Sequence, residues 1–403
     1  MRARRGVEMA ALDVVEDGAV WIGDDGLIAA VGPYERLKRD AEGAEVVEVD
    51  GVIFPGFVDA HTHAVFGAPR LEDHARRARG MDYKAIAAEG GGINSSVRDL
   101  RSRETGALEE LTARRLSHLL ALGTTTVEVK SGYGLTTKDE LRTLEVIGAL
   151  GPAPAAVPTF LGAHEVPPEY RDDREAYLRV LVDEMLPAVQ RQGIARFCDV
   201  FCEPGVFSVE ESRRVLLAAK ARGLGLKLHA DELDGSGGAE LAADLGAVSA
   251  DHLARVSEGG IEALARRGTV AVLLPGTMLF LGKPHQAPAR RLIDAGAAVA
   301  LATDFNPGSS PGMSLPLMGM LSVSQMGLSP EEAVVAITVN GAAAVDEAGT
   351  RGQIAPGFRA DLTLVAIRDW RELVYWYGAN LVTEVWVAGS PCHPRRRPVN
   401  FVV

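Results

Sequence analysis

The chain has 403 residues, 54 of them acidic and 42 basic, and a formal net charge of −12. Apolar residues make up 47% and charged residues 24%, the composition of a globular protein with a large core, which excludes global disorder. The negative balance excludes a general nucleic-acid or membrane-surface binder, and no apolar run reaches the roughly 18 residues of a membrane span.

The opening MRARRGVEMAALDVVEDG has basic residues with no apolar stretch behind them. It does not read as a signal peptide, so the expected setting is the cytoplasm. AVWIGDDGLIAAVG is two apolar runs around an Asp-Gly turn, a hairpin signal, and VVEVDGVIFPG adds a strand. A first strand of this N-terminal sheet is expected to be short or missing. Eight short apolar runs follow, at 54–63, 124–131, 155–164, 197–203, 225–232, 247–253, 269–276 and 298–305. Such runs read as parallel strands buried on both faces. Helical patterns separate most of them, for example VEESRRVLLAAKARG at 209–223. The far end returns to β with ADLTLVAI and LVTEVWVAG. The expected fold is α/β: a TIM-type (β/α)8 barrel over 53–352, with a small β-sandwich domain built from 1–52 and 353–403.

Three cysteines in a long chain make no disulfide scaffold. Cys198 and Cys202, in the run FCDVFCE, read as buried thiols. Arg395–Arg397 reads as a solvated tail. GGG at 90–92 lacks the Lys-Ser/Thr of a phosphate loop and reads as a loop near the barrel mouth. LDGSGGAEL reads as a tight turn into a helix.

Active sites of such barrels lie at the C-terminal strand ends. Polar residues gather there: His61 and His63 on run one, Lys130 on two, His164 on three, His229 and Glu232 on five, Asp251 and His252 on six, Asp304 and Asn306 on eight. A lone histidine at a strand end is usually structural, but five of nine at one rim are harder to dismiss. His74, His118, His285 and His393 fall elsewhere and are read as structural. In a strand, residues i and i+2 face one side, so His61 and His63 can aim at one point. His229 and Asp304 complete a set of imidazoles and carboxylate that suits zinc or iron with a position left for water.

PGFVDAHTH, LHADE, SADH and ATDFNPG, in that order, resemble the amidohydrolase superfamily along essentially the whole chain. HTHAVFGAPR, EGGGI, EVKSGYGL, LGAHEVP, GGAELAADLGAVSADHL and TDFNPGSSPG resemble, more narrowly, the imidazolonepropionase family of histidine degradation. That resemblance implies one divalent or trivalent ion, zinc or iron, held by His61, His63, His229 and Asp304. It implies contacts from Arg70, Tyr133, His164, Glu232, Asn306, Gly308 and Ser309 to a small anionic heterocycle, 4-imidazolone-5-propanoate. It implies His252 as a catalytic or oxyanion-stabilising residue, a homodimer, and no nucleic-acid or membrane partner. The implied reaction is hydrolytic ring opening to N-formimidoyl-L-glutamate. Many superfamily members set a carboxylated lysine between two metals. Lys130 is not on the usual strand for that role and the fourth run offers Glu203 instead, so one metal is expected.

Two carboxylates compete as general base, Glu232 and the metal-bound Asp304, and the residues leave both open. Arg70, in the loop above strand one, can hold a carboxylate through two parallel hydrogen bonds. Two alternatives remain: a related deaminase or hydrolase acting on another nitrogen heterocycle, and a metal-free binding module of the same fold.

Overall fold

The structure is a computed structural model, in which residues 2–39, 43–81, 85, 86 and 89–392 are described. The chain opens with an antiparallel hairpin, β1 (Gly18–Ile22) and β2 (Ile28–Pro33). Its turn works because Gly26 takes φ +74° and the Leu27 amide donates to Asp25 Oδ1 at 3.0 Å. β3 (Val52–Pro55) follows.

At Gly56 the chain crosses into the barrel. Its amide donates to Asp361 O at 2.7 Å, and a Cβ there would lie 2.2 Å from Thr125 Oγ1, so only glycine fits the crossing. The barrel strands are β4 (Phe57–Asp59), β5 (Thr124–Lys130), β6 (Ala155–Ala163), β7 (Phe197–Cys202), β8 (Gly225–Ala230), β9 (Ser249–His252), β10 (Val270–Leu273) and β11 (Val299–Leu301). All neighbours run parallel, in sequence order. The first and last strands meet through Asp304 N to His61 O (3.0 Å) and His63 N to Phe305 O (2.8 Å). Asp59 adds two bonds, its carboxylate accepting from the Thr303 amide at 3.0 Å and hydroxyl at 2.6 Å.

The eight expected runs become the eight barrel strands. Run one differs: Phe54 and Pro55 belong to β3, and β4 keeps only three residues. His61 and His63 lie beyond β4, yet stay extended because 61–63 pair with 304–305.

Helices between the strands are set by local chemistry. Ser208 and Ser329 form capping boxes with Glu211 and Glu332, which satisfy amides that a helix start leaves open. Asp231, the residue after β8, accepts from Ser236 N (2.7 Å), Gly237 N (3.1 Å) and Ala239 N (3.0 Å). That is the expected tight turn into helix Gly238–Leu245.

The chain ends in β12 (Leu362–Val365), β13 (Val382–Val387) and β14 (Ser390–Pro391), in the antiparallel sheet order β14-β13-β12-β3. Both ends of the chain therefore share one small sheet. The β1–β2 hairpin docks on it through Ile28 N to Phe358 O (2.8 Å) and a cluster of Ile28, Phe358 and Ala360. β3 pairs with β12 along its full length, so the crossing lies at Gly56. Among the described residues no helix is long and apolar enough to cross a membrane. Arg395–Arg397 and His393 lie outside the described residues.

Candidate active site

Barrel interiors are normally packed with branched apolar residues. Here the inward positions near the C-terminal ends are charged: Glu128 and Lys130 on β5, Asp199 on β7, Lys227 on β8 and Asp251 on β9, all fully buried. They survive burial by pairing. Lys130 Nζ lies 2.7 Å from Asp199, 2.9 Å from Glu128 and 3.4 Å from Asp251. Lys227 Nζ meets Glu128 at 2.9 Å.

Above this layer sit four side chains from three parts of the barrel. His61 Nε2 and His63 Nε2 lie 3.5 and 3.6 Å from Asp304 Oδ1, and His229 Nε2 lies 3.4 Å from His63 Nε2. A four-coordinate ion with bonds of about 2.0–2.1 Å holds its ligand atoms about 3.3 Å apart, so these separations suit one small ion. The other ring nitrogens face carboxylates. His61 Nδ1 is 2.6 Å from Asp251 Oδ2, and His229 Nδ1 is 2.9 Å from Asp199 Oδ2. A carboxylate only accepts, so His61 Nδ1 carries the hydrogen and its Nε2 presents a lone pair, while Asp199 stands in ion-pair contact with the His229 ring. His61 Nε2 is buried with no hydrogen-bond partner among the described residues, a cost that a bound cation would remove. Thr277 donates to Asp304 Oδ2 at 2.7 Å and leaves Oδ1 for the cluster.

Burial sets the protonation of this group. It holds His61 and His63 well below the usual imidazole range, with Lys130 and neighbouring imidazoles adding to the effect. His252 is lowered for the same first reason. Burial raises Asp304 to about 6. Glu232 is pushed well above the carboxylate range, first by burial, then by the charges of Asp304 and Glu203.

A cavity of about 240 Å³ opens over the cluster, smaller than the roughly 300–1,000 Å³ of drug-sized sites. Among its lining residues are His63, Tyr133, His164, His229, Glu232 and His252, together with Arg70, Asp304, Asn306 and Ser309. His164 Nδ1 is 2.9 Å from Gly132 O; a carbonyl only accepts, and burial lowers His164 to about 3. The ring is therefore neutral, with Nε2 as an acceptor. Both nitrogens of His252 are buried without a hydrogen-bond partner among the described residues, and Nε2 is 3.6 Å from Glu232 Oε2. Strain gathers here: Asp231, His252, Leu253 and Asp304 all have φ between +50° and +77°, a conformation costing non-glycine residues of order 1–3 kcal/mol each.

Gly308 lies behind Arg70. A Cβ on Gly308 would fall 1.9 Å from the guanidinium carbon, so the absent side chain makes room for the arginine. Arg77 donates to Gly308 O at 2.8 Å and crosses the Phe280 ring at 5.2 Å. Both ends of the Asn306 amide shape the same loop, through Asp304 O (2.7 Å), Ser309 Oγ (2.8 Å) and the amides of Gly308 and Ser309 (2.8 Å each). All the site residues expected from sequence thus come to one cavity or its floor. His74, His118 and His285 stay outside the cluster on exposed positions, and Cys198 and Cys202 are buried free thiols. The amide of Gly92 docks on Asp73 at 2.8 Å, and Ile93 lines the cavity.

Sequence reasoning missed Asp199, Thr277, Arg77 and Lys283, the last two also lining the cavity. Asp199 carried a signal, since a carboxylate inside an apolar strand needs a buried partner. Thr277 carried none. Glu203 serves as an acceptor for the Glu232 and Asp234 amides, at 3.2 and 2.6 Å, and so shapes the loop bearing Glu232.

Residues 52–392 match the model of the Amidohydrolase family. The chain is 47% identical over 391 residues to the imidazolonepropionase of Geobacillus kaustophilus, covering 95% of this chain and 92% of that protein. It is 46% identical over 399 residues to that of Solibacter usitatus, covering 98% and 94%. The chain belongs to the amidohydrolase family, among the imidazolonepropionases. Solved structures agree on the fold. An adenosine deaminase from Xanthomonas campestris with bound zinc superposes with a TM-score of 0.70 at 21% identity, covering 100% of this chain and 94% of that one. Guanine deaminase from Bradyrhizobium japonicum gives 0.71 at 18%, covering 97% and 96%.

Proposed function

We propose that this chain catalyses the hydrolytic ring opening of 4-imidazolone-5-propanoate to N-formimidoyl-L-glutamate, in histidine degradation. The imidazolonepropionase relatives support that substrate. One observation carries it onto this chain: over a cluster suited to a small cation, the cavity sets Arg70, whose Nε is buried without a hydrogen-bond partner among the described residues, within electrostatic reach of neutral His164. A guanidinium suits the propanoate, and the bare His164 Nε2 suits a ring N–H.

His61, His63, His229 and Asp304 would hold one zinc or iron ion, since imidazole and carboxylate accept either. When bound, such an ion lowers the pKa of its water towards about 7 and polarises a carbonyl. Glu232 is raised first by burial and then by the charges of Asp304 and Glu203, and with Asp304 neutralised by an ion the second cause would weaken. Glu232 then accepts one proton as water oxygen joins the ring carbonyl carbon. His252 donates to the oxygen that gains charge. Glu232 returns the proton to the ring nitrogen as the carbon–nitrogen bond breaks. The new carboxyl ionises, and its proton ends on the formimidoyl group. On the family resemblance, the chain acts in the cytoplasm as a homodimer, which light scattering reads as twice the mass of one chain.

The test follows loss of imidazolone absorbance with freshly made substrate, with and without chelator, and beside guanine and adenosine. Activity on the imidazolone that chelator abolishes is the expected result; turnover of a purine alone would overturn the reading. At equal metal occupancy, Glu232→Gln should lower kcat about 10²–10⁴-fold. An intact rate, with loss in Asp304→Asn, would move the base role to Asp304.

A further inference from the structure

Two carboxylates face the Nδ1 atoms of two cluster imidazoles: Asp251 holds the hydrogen of His61 at 2.6 Å, and Asp199 Oδ2 makes an ion-pair contact with His229 Nδ1 at 2.9 Å. They stand on different strands, β9 and β7, and neither touches a substrate position. One ammonium reaches both. Lys130 Nζ is 2.7 Å from Asp199 Oδ2 and 3.4 Å from Asp251 Oδ2, the same oxygens that face the imidazoles. The other oxygens are taken separately: Asp199 Oδ1 accepts the His229 amide at 3.1 Å, and Asp251 Oδ1 accepts the Ser249 hydroxyl at 2.6 Å. Glu128 Oε2 holds the third side of the ammonium at 2.9 Å. Glu128 is fixed in turn by Lys227 at 2.9 Å and Thr159 at 2.5 Å. Lys130 and all three of its partners are fully buried.

We propose that Lys130 is a positioning residue for the metal centre: its ammonium ties Asp199 to Asp251 and so sets the orientation of the His229 and His61 rings together. A carboxylate free to rotate would let its imidazole turn, and a donor atom off its axis binds metal poorly. With Lys130 in place, the two carboxylates keep their facing oxygens towards the rings. A lysine close to the cluster thus acts on an ion it does not bind. Its three carboxylate partners occupy its donors and fix its place in the floor.

The inference rests on reading His61, His63, His229 and Asp304 as metal ligands. Lys130→Met keeps the length and removes the charge. Lys130→Met with Glu128→Gln removes one charge of each sign, so it keeps the net charge of the buried layer and gives a second variant should the first not fold. Three quantities are read for each: the zinc dissociation constant by chelator competition, the visible bands of the cobalt(II)-loaded protein, and kcat and KM at full zinc occupancy. Second-sphere partners of metal ligands are worth about 10–100-fold in metal affinity. The expected result is zinc binding weakened by that factor, altered cobalt bands, lower kcat and unchanged KM, in a variant folded by circular dichroism. A folded variant with wild-type zinc affinity and wild-type cobalt bands would overturn the role of Lys130. Failure of the wild-type chain to bind zinc or cobalt would instead overturn the metal reading itself.

Discussion

Gly308 shows how a residue without a side chain can set specificity. Arg70 occupies the space a Cβ would fill, so Gly308→Ala should displace the guanidinium while leaving the four ligand residues alone. Losing a hydrogen bond to a charged group costs about 1.5–3 kcal/mol, or roughly 10–100-fold in KM, with kcat and zinc content near wild type. An unchanged KM would separate Arg70 from substrate binding. His164 gives a pH test. In the folded chain burial keeps it neutral down to about 3, while an unfolded histidine takes a proton below about 6.5. Between those values the unfolded state binds the extra proton, so acid favours unfolding. Relative to His164→Gln, the metal-free wild type should lose about 1.4 kcal/mol of stability for each pH unit below about 6.5. Parallel pH profiles from urea titrations would contradict this. At this scale the sequence was legible where chemistry is concentrated. His61, His63, His229 and Asp304 stand at the ends of apolar runs. Thr277 was not legible, because a threonine in the short helix Pro275–Phe280 looks like any other until its hydroxyl is seen 2.7 Å from Asp304. Arg77 sits in LEDHARRA, which reads as a solvated helix.

Elements were legible to the extent that local rules decide them. A barrel strand is a short apolar run whichever way the chain folds around it, and the capping boxes at Ser208 and Ser329 are written in adjacent residues. Run one was harder, since PGFVDAHTH serves two sheets and a rim. Its division depends on Gly56 meeting Thr125, a contact 69 positions away in the chain. The charged floor was also hidden, because TVEVK, CDV and LKL each look like a short strand with one or two stray charges. Only the circular arrangement brings Glu128, Lys130, Asp199 and Lys227 together. Helix Val209–Lys220 offers a test free of the site. Ser208→Ala removes a cap worth about 0.5–2 kcal/mol, so the urea midpoint should fall while kcat and KM at 25 °C hold. A fall in kcat would mean that this helix supports the site more closely than its place in the chain implies.

For the whole molecule, the proposed metal site would couple folding to metal binding. His61, His63, His229 and Asp304 come together only in the folded chain, so an ion held there would stabilise it by mass action. Zinc at a thousand times its dissociation constant adds about 4 kcal/mol, and stripping it with chelator should lower Tm and make Tm depend on zinc concentration. A Tm indifferent to zinc would count against a site formed by folding. The expectation of a small domain drawn from both chain ends matches the pairing of β3 with β12. Gly123 shows how tightly that sheet meets the barrel. Its carbonyl accepts from Phe57 N and Thr363 Oγ1 at 3.0 Å each, and a Cβ would collide with both side chains.

The bonds that join the first and last barrel strands have a temporal consequence. Asp304 N reaches His61 O and His63 N reaches Phe305 O, so the seam of the ring is also the edge of the ion's berth. A ribosome must deliver His61 and His63 some 240 residues, and His229 some 75 residues, before the aspartate that completes their set. A nascent chain therefore presents three imidazoles in waiting, and on the proposed reading an ion would be gripped in full only once the circle has shut. Metal capture would in that sense be a check on completed assembly, and the amides of His63 and Asp304 are where its arrival should most slow hydrogen exchange.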